Sequence, residues 1–306
     1  MNKRVSLPKL ALIAGPTASG KSSCALAVAQ HTGGMIINAD ASQVYRDLRV
    51  ITARPTIEDE AKAEHRLYGH VDGAAPYSAA QWADDARAAI HEVIAQGRLP
   101  ILTGGTGLYM RTLLDGIAPV PPIDPEIREE VRALPVAQAH AALCIEDAVA
   151  ARRLAPADSA RVARALEVVR STGRSLHEWQ AERSGGIADQ VSLVPLIILP
   201  DRAGLNARIE ARLTTMFADG AVAEVKALFQ RTEIPPSAPI RRAIGVEEIA
   251  AFLRGEIDEG EARARIALAT RRYAKRQFTW FRHQFPGHWA RVQTVDKPGI
   301  ERIFQH

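Results

Sequence analysis

Two cysteines, Cys24 and Cys144, are all that this 306-residue chain contains, so thiols alone cannot build a disulfide framework or a four-ligand zinc site. Long apolar runs are missing too. The longest apolar stretch, 191–199, is interrupted by Ser192 and Pro195, well short of the about 18 residues a membrane helix needs. The chain shows no internal repeat or low-complexity tract. With 47% hydrophobic and 24% charged residues it falls in the ordinary globular range, which disfavours disorder and fibrous architectures. No HExxH pattern occurs, and His65 and His70, like His283 and His288, stand five apart rather than at the spacing of a helical metal pair. The expectation is a soluble, cytoplasmic protein of one elaborated domain or two, with structural histidines.

A further absence is local. Between Arg263 and Arg282 there are seven Lys or Arg and no acid, although the net charge of the chain is only +4. A solvated helix face normally mixes signs, so a one-sided run points to a polyanionic partner. Arg265, Arg272 and Arg276 recur at steps of seven and four, which places them on one helical face able to track phosphates. Trp280 and Phe281 close this segment and are expected in the core rather than as base-stacking platforms.

What is present is an alternation. Residues 10–14, 35–37 and 99–102 read as short buried strands, with 194–199 and 288–292 as a fourth and fifth. Residues 22–30 and 79–96 read as helices between them, and 205–230, 243–254 and 261–283 as later, longer ones. Such alternation predicts an α/β fold, a parallel sheet with helices on both faces. Pro119, Pro121, Pro122 and Pro125 then make 119–125 unsuited to helix or central strand. Helical patterns alone follow, over 125–133, 136–144, 146–153, 158–171 and 175–182, until Ser184, Gly185 and Gly186 supply a flexible exit. The expected organisation is a core of residues 1–118 and 187–306 with an all-helical insertion, 119–186, on two hinges.

Residues 15–22, GPTASGKS, form a complete GxxxxGKS phosphate loop between the first strand and the first helix, the context that motif requires. Its amides and the helix N-terminus would cradle phosphate oxygens, Lys21 would neutralise their charge, and the Ser22 hydroxyl would ligate Mg²⁺. Kinases built on this loop place an acid at the end of a neighbouring strand. Here the third strand ends LTGGTGLY without a carboxylate, whereas the second ends in Asp40, which becomes the candidate general base, with a helix or turn cap as its structural alternative. The loop itself leaves the phosphate compound open, so a P-loop small-molecule kinase and an RNA-binding ATPase stand as alternatives to a group transferase.

The series GPTASGKS, DASQVY (40–45), TARP (52–55), HRL (65–67), GGTGLY (104–109), RVARALEV (161–168) and RRYAKRQFTW (271–280) resembles, in order and over nearly the whole chain, the bacterial tRNA dimethylallyltransferases, the tRNA isopentenyltransferase family. The resemblance implies a P-loop NTPase-like core and Mg²⁺-dependent transfer of the dimethylallyl group of dimethylallyl diphosphate to the N6 amine of the adenosine 3′ of the anticodon, with release of diphosphate. It assigns diphosphate binding to Gly15, Pro16, Thr17, Ala18, Ser19, Gly20, Lys21 and Ser22, with Asp40 as base, Thr106 on the substrate opposite it and Arg212 on the diphosphate. Contact with the tRNA anticodon stem-loop is implied for Asp40, Ala41, Ser42, Gln43, Thr106, Arg128, Ala160, Arg161, Val162, Ala163, Arg164, Arg242, Gly245, Lys275, Arg276 and Gln277. Arg208 and Arg212 share a helix face, so a surface ion pair remains open for both. A helical insertion clamping the stem-loop, no membrane contact and a monomer complete the expectations.

Three departures bear on the RNA contacts. The usual DSxQVY reads DASQVY, so Ala41 lacks a hydroxyl. TAKP reads TARP, and Arg54 keeps the charge while changing its geometry. The expected G-Y-K/R-E turn reads GVEE, with Val246 and Glu247 in place of an aromatic and a cation.

Overall fold

The computed structural model describes residues 7–304. Among these, strands β1 (Lys9–Ala14), β2 (Met35–Asn38), β3 (His65–Arg66), β4 (Pro100–Gly104), β5 (Ser192–Ile198) and β6 (Ala290–Val292) form one parallel sheet in the order β3-β2-β4-β1-β5-β6. Helices cover both of its faces, as the α/β alternation required. Parallel strands buried on both sides read as continuous apolar runs, and Leu10 to Ala14 and the whole of β2 and β4 are buried. Two-residue β3 carries no such run, which is why the sequence pattern did not reveal it.

The helices around the sheet are α1 (Lys21–Thr32), α2 (Ile57–Lys62), α3 (Ala79–Ala95) and α4 (Gly107–Asp115) in the first part of the chain. Ser78 and Gln81 close a reciprocal capping box at the start of α3. Five helices, α5 (Pro125–Ala133), α6 (Val136–Glu146), α7 (Ala148–Arg153), α8 (Ser159–Thr172) and α9 (Leu176–Ala181), make up the middle part. Then come α10 (Arg202–Ala218), α11 (Ala221–Gln230), α12 (Val246–Leu253), α13 (Glu259–His283) and α14 (Lys297–Phe304). The stretch expected as one helix over 205–230 is two, because Gly220 takes a φ of 99° that ends one helix and starts the next. No helix among the described residues is long and apolar enough to cross a membrane.

The chain divides into two compact units, one of residues 1–113 and 187–306 and one of 114–186. The second has its own core, in which Val131, Leu143, Val162 and Leu166 meet. Asp124, Asp147, Asp158 and Ser175 cap α5, α7, α8 and α9, so local polar signals set four of the five helix starts, while α6 follows Pro135 with no side-chain cap. Its entry and exit segments, expected as two hinges, run side by side. Ile117 and Ser184 exchange backbone hydrogen bonds of 3.0 and 3.1 Å, pairing the supposed flexible exit with the entering chain.

Candidate active site

Strands β2, β4 and β1 lie side by side, and the loops that leave their carboxyl ends carry the candidate chemistry. Ala14 pairs with Gly104 and Asn38 with Thr103, so all three loops start at nearly one level of the sheet, the edge at which open parallel sheets bind ligands.

After β1 the phosphate loop runs into α1 through Gly20, whose φ of 90° favours glycine. The helix starts with no side-chain cap and no acid in its first turn, which leaves the positive end of its dipole for an anion. Lys21 donates to the Pro16 carbonyl at 3.3 Å. Burial pulls its ammonium down to about 8; the charge of Asp40 opposes this and that of Arg212 reinforces it, so all three groups share one field. Arg208 donates from Nε to the Ala18 carbonyl at 2.7 Å and thus braces the loop, whereas Arg212, one turn on, lines the cavity. Neither arginine forms an ion pair among the described residues, which removes the surface-pair alternative.

After β2 the chain delivers Asp40, only 9% exposed. Fully buried Asn38 grips its backbone from both sides: the Asn38 Oδ1 accepts from the Asp40 N–H at 2.9 Å and Nδ2 donates to the Asp40 carbonyl at 3.0 Å. Ser42 fixes the carboxylate, donating to Oδ1 from its N–H at 3.1 Å and its hydroxyl at 2.7 Å. Oδ2 accepts no hydrogen bond among the described residues. After β4, the Thr106 N–H donates to the Ala39 carbonyl at 3.1 Å, and its Oγ1 accepts from the Ala41 N–H at 2.9 Å. Thr106 therefore braces the turn that carries Asp40, whereas the resemblance put it on the substrate opposite that residue.

A cavity of about 850 Å³ is lined by Thr17 to Ser22, Asp40 to Gln43, Arg212, Arg242 and Arg276, and Thr106 stands behind this lining rather than in it. Gly15 and Pro16 precede the lining residues. All five tyrosines of the chain, Tyr45, Tyr68, Tyr77, Tyr109 and Tyr273, line it, and no Phe or Trp does. Burial, with the charge of Asp40 among the further causes, raises the hydroxyls of Tyr68, Tyr109 and Tyr273, so all three are neutral donors at ordinary pH. Sequence reasoning gave none of them a place in the site, although Tyr109 and Tyr273 lie within the GGTGLY and RRYAKRQFTW motifs. The signal for Tyr273 was its spacing of four from Gln277 on one helix.

Other expected contacts are distributed unevenly. Lys275, Arg276 and Arg242 are exposed, as are Arg128, Ala160 and Arg161 in the second unit; Ala163 and Arg164 are half-buried. Val162 packs in that unit's core, so no RNA contact falls on its side chain. Gly245 is buried against Ile51 and caps α12, with Glu248 accepting from its N–H at 3.1 Å. Val246 is core and Glu247 pairs with Arg254, which explains how GVEE serves as a structural turn. Gln43 spends both Nε2 hydrogens on the carbonyls of Thr52 and Ala53, each at 2.8 Å, leaving its Oε1 as an acceptor. Phe281 is fully buried, and half-buried Trp280 packs over Gly107.

Ser22 stands at the start of α1 on this cavity, where Asp40 and Asp59 are the lining acids. No group of three or more His, Cys, Asp or Glu side chains among the described residues could hold a metal. One hydroxyl beside a phosphate cradle still fits Mg²⁺, which keeps several waters and takes substrate phosphates as ligands rather than an all-protein cage.

Comparison with known proteins points one way. The family model described as IPP transferase matches residues 43–284. A tRNA dimethylallyltransferase of Sphingopyxis alaskensis is 61% identical over 283 residues, covering 92% of each chain. The crystal structure of the full-length tRNA isopentenylpyrophosphate transferase of Bacillus halodurans superposes with a TM-score of 0.69 at 32% identity, over 96% of this chain and 94% of that one. A eukaryotic dimethylallyltransferase acting on tRNA gives 0.77 at 26% identity, over 90% of this chain and 70% of that one. With a family model spanning most of its length and a relative this similar end to end, the chain belongs to the IPP transferase family.

Proposed function

We propose that this protein transfers the dimethylallyl group of dimethylallyl diphosphate to the exocyclic N6 amine of the adenosine 3′ of the anticodon in tRNA. The observation that carries the reading is the buried Asp40 within the electrostatic reach of the phosphate-loop Lys21, in one cavity of a chain from this family. An aryl amine is a weak nucleophile, so the allylic carbon has to be activated through its leaving group. Loop amides, Lys21 and Arg212 take up the charge on the diphosphate as the C1–O bond breaks and the N6–C1 bond forms. The alkylated amine then sheds a proton, and Asp40 Oδ2 is the acceptor. Mg²⁺, held by Ser22 and the diphosphate, would add to the neutralisation of the leaving group. The adenine reaches this cavity only if extruded from the anticodon-loop stack, and the one free group of Gln43, an acceptor, suits its amine.

Arg242 and Arg276 at the rim, with exposed Lys275 next to Arg276 in the chain, supply cations for the RNA backbone. Every residue invoked for chemistry comes from one chain, and we take the working unit to be a monomer. A kinase lacks support here, since β4 ends in Thr103 and Gly104 and continues into Gly105 with no carboxylate, and the relatives are transferases. The test supplies radiolabelled dimethylallyl diphosphate and unmodified tRNA. Label moves into the RNA with the wild type, stops on chelation of Mg²⁺, and slows by about 10² or more with Asp40→Asn while diphosphate binding persists. Consumption of a nucleoside triphosphate with no label transfer would sink the reading.

A further inference from the structure

Gln277 directly follows two exposed cations, Lys275 and Arg276, yet it is itself only 5% exposed. Its two amide ends are occupied at long range. Oε1 accepts the N–H of Thr17, in the phosphate loop after β1, at 2.8 Å, and Nε2 donates to the carbonyl of Gly105, in the turn after β4, at 2.8 Å. A carboxamide carries a donor and an acceptor in one rigid plane, so here it does what a rung of backbone would do between two strands. Pairing of β1 with β4 ends at Ala14 and Gly104. Beyond that point no backbone hydrogen bond among the described residues joins 15–20 to 105–106, and the Gln277 side chain makes the connection.

Gly105 shows how closely the parts are fitted. A Cβ at that position would lie 2.3 Å from Gln277 Nε2 and 3.2 Å from Asp40 Oδ2. Only a residue without a side chain lets the amide bridge and the free carboxylate oxygen approach the same point. The phosphate loop determines where the leaving diphosphate sits, and the β4 turn carries Thr106 and abuts Asp40. One side chain therefore spans the donor half and the acceptor half of the site.

We propose that Gln277 is a positioning residue rather than an RNA contact, setting the separation between the donor phosphates and Asp40 by clamping the Thr17 N–H to the Gly105 carbonyl. This rests on the transferase reading above. Misplacing reacting groups by about 1 Å costs on the order of 10² in rate, whereas loss of a group that RNA never touches leaves RNA affinity alone.

The test uses full-length Gln277→Met, of similar size but without hydrogen bonds, and Gln277→Glu, which keeps the acceptor for Thr17 and loses the donor for Gly105. At saturating donor and tRNA, kcat is expected to fall about 10- to 100-fold in both, with tRNA Kd within about twofold of wild type. Amide exchange at Thr17 should be protected in the wild type and accelerated in Gln277→Met, a readout that needs no substrate. A rise in tRNA Kd of about tenfold, a kcat within about twofold of wild type, or an unprotected Thr17 amide in the wild type overturns the proposal. Should the wild type itself fail to transfer label, the transferase reading falls, and the Thr17 exchange still judges the clamp.

Discussion

Lys21 and Asp40 were both legible in the linear chain, one from the GxxxxGKS spacing and one because it is the acid that ends a strand beside the loop. What the linear chain withheld was their electrostatic relation. Lys21 has been pulled to about 8 by burial. Diphosphate binding favours the ammonium, which the free enzyme already carries below that value; above it, binding must first take up a proton. Affinity for inorganic diphosphate is therefore expected to weaken about tenfold between about pH 7 and about pH 9, measured by calorimetry. The same titration with Lys21→Met subtracts the ligand's own protonation, and a pH dependence unchanged in that variant would remove Lys21 from the effect. The Ser42 hydroxyl on Asp40 Oδ1 was not foreseen either. DASQVY lacks the usual hydroxyl at Ala41, and the hydroxyl one residue later reaches the carboxylate.

Helix α13 has two faces with different work. Its buried face presents Gln277 and Phe281, while Arg272, Lys275, Arg276 and Arg282 stand exposed with no ion pair among the described residues. The run from Arg263 to Arg282 is less one-sided than its composition suggested. Arg263 pairs with Glu259 and Arg265 with Glu261, each one turn upstream, and Arg271 with Glu210 on α10. The first two partners lie just outside the acid-free window and the third is distant in sequence, so the charge available to a polyanion sits in the second half of the helix. Arg265 accordingly drops out of the expected phosphate-tracking stripe. Lys275→Ala should weaken tRNA binding and reduce the slope of log Kd against log salt by about 0.7 to 1, with diphosphate affinity unchanged. An unaltered salt slope would take this face away from the RNA.

For the molecule as a whole, the proposed function has two tasks that the division into two units lets an experiment separate. Its own core and caps make residues 114–186 a compact unit, and its paired entry and exit strands offer a clean place to cut. Joining Ile117 to Ser184 through a short turn, with 118–183 removed, is expected to leave diphosphate binding within about twofold and to weaken tRNA binding about tenfold or more. Filter binding with the intact chain alongside measures both. Unchanged tRNA affinity would move RNA recognition wholly onto the sheet-bearing unit.

Local features were readable in the chain because their physics is local. Apolar runs, a glycine loop and capping side chains act over a few residues, so the α/β class, the phosphate loop, Asp40 and the five insertion helices could all be anticipated from spacing. The assembly of the site could not. Gln277 meets Thr17 across 260 residues and Gly105 across 172, Arg208 reaches Ala18 across 190, and Tyr273 joins four other tyrosines around one cavity. Such pairings depend on which strands become neighbours and on how far a helix is turned about its axis. Those are properties of packing, which no short window of residues contains.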